Sequence, residues 1–122
     1  MLTPYLLNAL EIIVGLGILN VWLIRSGKAT AYRGGNAKNL REEFATYGLP
    51  AWSFFVIGVL KVTLALALLL AVWKHQLAQP AAIGLGALML GAFVMHLKVK
   101  DPFSKAVPSL VVFSMCAAIA LL

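Results

Sequence analysis

The chain has 122 residues, of which 62% are hydrophobic and 11% charged. Soluble domains average ~45–50% and ~25%, so there are too few polar side chains here to cover a water-facing surface, and the surplus must face lipid. The net charge of +6 would suggest nucleic acid in a soluble protein. Here the basic residues cluster in two loops between oily runs, with no face on which basic and aromatic residues interleave. That excludes a nucleic-acid partner and points to topology and anionic lipid headgroups.

Residues 4 to 24 are the first oily run. At ~1.5 Å per residue they reach roughly 31 Å, one hydrocarbon core. Arg25 and Lys28 follow the run and no Lys or Arg precedes it, the reverse of a signal peptide, so a retained helix is expected. Asn8, Glu11 and Asn20 lie inside it. Glu11 carries the most weight, because a carboxylate at membrane depth is expensive and normally has a partner.

The polar stretch from Arg25 to Pro50 comes next. Tyr32-Arg33-Gly34-Gly35 reads as a tight turn. Asn36 is placed to cap a short amphipathic helix over about 36–47, with Ala37, Leu40, Phe44 and Tyr47 as its apolar stripe. Gly48 stops it and Pro50 follows. Lys38, Arg41, Glu42 and Glu43 then face headgroups, water or the rest of the protein.

The second span covers about 51–73, bracketed by Trp52 and Trp73 at the depth indoles prefer, with Lys61 near its middle. After a short turn, the third span covers about 80–97 and carries the small residues Ala81, Gly84, Ala87 and Gly91, a surface for close helix approach. His96 falls at its far end. Asp101-Pro102 reads as a helix N-cap and first-turn proline, which starts a fourth span at about 104–122. Only 108–122 is continuously oily, short for a bilayer, so the span starts near Pro102 or crosses thin membrane. The fold class is an all-α membrane protein, a four-transmembrane-helix bundle with an interfacial helix in the first loop. The loops 25–50 and 98–107 hold eight of the ten basic residues, so the positive-inside rule puts both loops inside and both termini outside.

Two constellations carry chemistry. Glu11, roughly 20 Å above the inner edge, and Lys61, roughly 15 Å above it, fall at similar depth if their helices are adjacent and antiparallel. They are expected to form an intramembrane ion pair, either a proton relay or polar floor to a ligand cavity, or a pair that fixes helix registry. The second constellation is an inner-face cluster of Asn20, Tyr32, Arg33, Arg41, Glu42, Glu43, Tyr47, Trp52, His96 and Asp101. Arginine there can grip a carboxylate or phosphate, and histidine is the residue type suited to proton exchange. The competing reading is a set of salt bridges that tie the loops together.

No metal site is expected, since HxxxH, ExxH and CxxC spacings are absent. Cys116 is the lone cysteine, which leaves no redox pair. Ser104, His96 and Asp101 can be assembled into a triad on paper, but no nucleophile elbow accompanies them.

The run YGLPAWSFFVIGVLKVTLALALLL, with MLGAFVMHLKVKDPFSKAVPSL after it, resembles the DoxX-like family of small four-helix membrane proteins. Tyr47-Gly48-Leu49-Pro50, Gly58 with a polar residue three positions on, and Met95-His96 to Asp101-Pro102 carry the resemblance. Tyr32-Arg33-Gly34-Gly35 and Glu43-Phe44 resemble a bacterial subgroup. Many members have Glu where this chain has Lys61. The resemblance implies a four-helix bundle in the bacterial inner (plasma) membrane. It also implies relatives tied to thiosulfate and quinone redox chemistry, to membrane oxidoreductase complexes, and in animals to receptor assembly. The expected function is non-catalytic. The cluster binds a lipid- or quinone-like ligand or a partner membrane protein, including a second copy of the chain. The alternatives are an accessory subunit of a quinone-linked oxidoreductase and, more weakly, a small-molecule transporter. No cofactor is required beyond such a quinone or lipid.

Overall fold

The computed structural model describes residues 3–24, 35 and 37–121. Helix α1 is Thr3–Leu19 and ends in a π-helical turn, Asn20–Ile24. A short helix α2, Leu40–Thr46, lies in the first loop. Helix α3 is Ala51–Leu70, and a 3₁₀ turn, His75–Leu77, leads into α4, Ala78–Lys98. Helix α5 is Phe103–Leu121. The described residues contain no strand. Four helices are long and apolar enough to cross a membrane, and together they make an all-α four-helix bundle and a multi-pass membrane protein.

The bundle closes as a ring in which α1 packs on α3 and α5, and α4 packs on α3 and α5. The buried face of α1 runs Leu7, Glu11, Val14, Ile18, Trp22, steps of three and four that keep one side of a helix on the core. Exposed Ile13, Leu16, Leu23, Val59, Leu66 and Ile83 form the lipid-facing side. Trp52 and Trp73 are 66% and 80% exposed, as expected of interfacial anchors.

Glycine sets the α1–α3 contact. A Cβ at Gly15 would stand 2.8 Å from the Leu69 side chain, and one at Gly58 would stand 2.8 Å from the Trp22 ring. These two contacts fix an antiparallel register in which Lys61 lies at the level of residue 20, about nine residues or ~14 Å along the axis from Glu11. The expected Glu11–Lys61 ion pair is therefore not formed. The reasoning from span edges failed because counts from the ends of two runs do not fix how the helices slide past each other; the Gly15–Leu69 and Gly58–Trp22 contacts do.

Other boundaries also differ from the sequence reading. The short helix begins at Leu40 and is capped by Asn39, whose side chain accepts from the Glu42 N–H at 2.8 Å and donates to Glu42 Oε2 at 2.9 Å. Asn36 lies outside the described residues. The fourth span starts at Phe103 and runs through Pro108, so it is a full-length span. Asp101 does not cap it; its carboxylate is turned the other way. Along the small-residue stripe of α4, Ala81 is buried and Gly84 packs on Leu64, whereas Ala87 is exposed and nothing approaches Gly91.

Candidate functional site

The site lies at the bundle end where the first and third loops meet, and it is built by helix stops. Helix α2 closes on Gly48 (φ 78°) with bonds from the Leu49 N–H to the Phe44 carbonyl and from the Gly48 N–H to the Ala45 carbonyl. This is a Schellman stop with glycine at its left-handed position. Helix α4 closes in the same way: the Asp101 N–H donates to the His96 carbonyl and the Lys100 N–H to the Leu97 carbonyl. Here the left-handed position is held by Lys100 (φ 58°). The reversal aims the Asp101 side chain back at the helix it has just left.

His96 Nδ1 lies 2.8 Å from Asp101 Oδ2. Asp101 Oδ1 accepts from the Gly35 N–H at 3.0 Å, and Lys105 Nζ donates to the Gly35 carbonyl at 2.5 Å. On the other side of the imidazole, the Tyr47 hydroxyl donates to Glu43 Oε1 at 2.5 Å and stands 3.4 Å from His96 Nε2. Glu43 Oε1 itself is 4.0 Å from Nε2. Lys98 Nζ donates to the Tyr47 carbonyl at 2.8 Å. Glu43, Tyr47, His96 and Asp101 thus form a row of ionisable side chains drawn from α2, α4 and the third loop. Burial opposes the charge on Asp101, but its hydrogen bonds with His96 and Gly35 and the nearby Lys105 outweigh that and hold its carboxyl below the ordinary value.

An aromatic cluster continues from this row into the bundle. Tyr47 meets His96 edge-on at 5.8 Å between centroids and Phe44 at 6.5 Å. Phe44 meets Trp22 at 5.9 Å and Phe54 at 5.8 Å, and Trp22 meets Phe54 at 5.4 Å. Lys61 Nζ sits 5.4 Å from the Trp22 ring centroid, a cation over an aromatic face.

Of the residues singled out from the sequence, Glu43, Tyr47, His96 and Asp101 come together. Arg41 is exposed and lies over Phe54 and Phe55, 5.6 and 5.1 Å from their centroids. Glu42 is exposed and spent on the helix cap. Trp52 points to lipid rather than into the cluster, because its place at the first turn of α3 sets it on the outer face. Asn20 lies in the π-helical turn, half-buried, two residues before Trp22. Tyr32 and Arg33 lie outside the described residues. Ser104 is exposed, and Nε2 of His96 faces Tyr47 and Glu43, so no triad is assembled. The described residues hold no group of His, Cys, Asp and Glu able to bind a metal.

Sequence reasoning missed Trp22, Phe54, Lys98 and Lys105. Trp22 was legible as the last member of the Leu7–Glu11–Val14–Ile18 stripe. The two lysines were read as topology signals alone, although each ties the chain back onto a loop carbonyl. Lys61 was assigned a partner that it does not meet.

No curated protein and no solved structure matches the chain. A family model does, over residues 14–119, which takes in the second half of the first span, the second and third spans, nearly all of the fourth and every residue of the row. The chain belongs to the DoxX-like family.

Proposed function

We propose that this protein is a non-catalytic membrane protein that holds the polar head of a lipid- or quinone-like ligand at the Glu43–Tyr47–His96–Asp101 row. The observation that carries the reading is the geometry at His96. Asp101 fixes the ring through Nδ1, while Nε2 has only long contacts among the described residues, 3.4 Å to Tyr47 and 4.0 Å to Glu43. A well-made hydrogen bond is nearer 2.7–3.0 Å. An oriented imidazole with a loosely engaged nitrogen, beside a tyrosine hydroxyl and aromatic rings, suits a ligand with a carbonyl or hydroxyl on a flat or chain-like apolar body. Apolar packing of similar volume is often as stable as a buried ionic row, so stability alone does not account for the row. Phe54, with the exposed Arg41 over it, extends the aromatic cluster toward the lipid-exposed Phe55.

The loops that carry the row hold most of the basic residues. That supports a cytoplasmic position for the row and outward termini in a bacterial inner membrane. The test is native mass spectrometry of protein released from mild detergent, beside His96→Gln. A defined quinone or lipid retained by the wild type and lost from the variant supports the reading. A ligand-free wild type contradicts it.

A further inference from the structure

Among the described residues, Lys61 and Glu11 are charged side chains inside the bundle that form no ion pair, and Lys61 is the cation of the two. It lies midway along α3 and is only 9% exposed. Its amino group makes no hydrogen bond or ion pair among the described residues, and its nearest identified neighbour is the Trp22 ring at 5.4 Å. Glu43 is the acid whose charge reaches it, but Glu43 takes the Tyr47 hydroxyl at 2.5 Å and does not close to a salt bridge with Lys61. Glu11 is ~14 Å away along the axis. Helical side chains lean toward the N-terminus of their helix, so Lys61 leans toward the row. A cation at membrane depth is expensive unless it is paired, and the Trp22 face returns only about 0.5–2 kcal/mol.

We infer that Lys61 is the counter-charge for an anionic head, a carboxylate or phosphate on an acyl chain, bound beside the Trp22 ring. This deepens the reading of the preceding subsection and rests on it: the loosely engaged His96 Nε2 supplies a hydrogen bond, and Lys61 supplies selectivity for charge. A fatty acid and a single-chain phospholipid share the required chemistry.

The test uses Trp52→Phe and Trp73→Phe together, which remove the two lipid-exposed indoles and leave Trp22 as the reporter. Full-length protein in nanodiscs is titrated with a brominated fatty acid and, separately, with its methyl ester, and Trp22 quenching is followed. A brominated single-chain phospholipid in a third titration separates the two sources of the anion. The expected result is saturable quenching by the acid, at least tenfold weaker apparent binding of the ester, and loss of that preference in Lys61→Met. Lys61→Arg, which keeps the charge, retains it. Equal binding of acid and ester, both lost in His96→Gln, overturns the inference and leaves the ligand reading standing. Equal acid binding by wild type and Lys61→Met also overturns it. If no amphiphile saturates, the inference falls, and native mass spectrometry then decides the broader reading separately.

Discussion

His96 Nδ1 and Asp101 Oδ2 lie 2.8 Å apart across the end of α4, and Asp101 Oδ1 reaches from there to the first loop through the Gly35 N–H. One carboxylate thus orients the imidazole and joins two loops. Asp101→Asn keeps the shape and loses the charge. Hydrogen bonds to charged groups contribute about 1.5–3 kcal/mol each, so a loss of about 2 kcal/mol is expected, read as a lower thermal midpoint in detergent.

The same carboxylate gives the protein an acid dependence. Hydrogen bonding and Lys105 hold the Asp101 carboxyl below its ordinary value against the opposing effect of burial. The carboxyl of the unfolded chain titrates at about 3.9. The Asp101 contribution is therefore complete above that value and is lost as pH falls through the lower folded value. The difference in midpoint between wild type and Asp101→Asn should shrink as pH falls below about 4, where the Asp101 carboxyl takes up its proton. A difference that persisted unchanged at lower pH would contradict the assignment.

Trp22 depends on Gly58 having no side chain. Gly58→Ala puts a Cβ 2.8 Å from the ring and should cost about 1–3 kcal/mol, the usual penalty of overpacking, with a shift in tryptophan emission. Gly17 has nothing within 4 Å of a Cβ, so Gly17→Ala should be neutral or mildly stabilising. Equal effects of the two would refute the packing account.

Lys100 holds a left-handed conformation that glycine adopts freely (φ 58°). Lys100→Gly should stabilise by about 1 kcal/mol, the cost of that conformation for a residue with a Cβ. Thermal unfolding checks this, and a destabilised variant would show that the lysine side chain matters more than the backbone.

The spans and the Gly48 stop were legible because each is local, and all four members of the row stood in the cluster read from the sequence. Oily runs mark the spans, Gly48 marks one stop, and His96 and Asp101 stand five residues apart across another. The depth relation of Glu11 to Lys61 was not legible, because it depends on how α1 slides against α3, and two glycine contacts set that slide. Trp22 stands on the legible stripe of α1, but its seat was not legible: nothing in its own neighbourhood shows that Gly58 opens a place for its ring.

The broken expectation has a consequence that can be measured. Glu11 is fully buried, with no hydrogen-bond partner for either oxygen among the described residues. An unsatisfied buried polar group costs about 1–3 kcal/mol. Glu11→Leu should therefore raise stability, and its effect should add to that of Lys61→Met within ~0.5 kcal/mol, as expected of sites without contact.

The central claim is that the row holds a ligand and is more than a tie between loops. Lys98 ties α4 to the Tyr47 carbonyl without touching His96 Nε2, so Lys98→Met and His96→Gln separate the two roles. The decisive measurement is the amount of copurified quinone or lipid per folded protein in each variant, by native mass spectrometry. The account predicts that Lys98→Met lowers the thermal midpoint yet keeps the ligand, while His96→Gln loses it. Ligand lost from both in proportion to stability, or from neither, would contradict the claim.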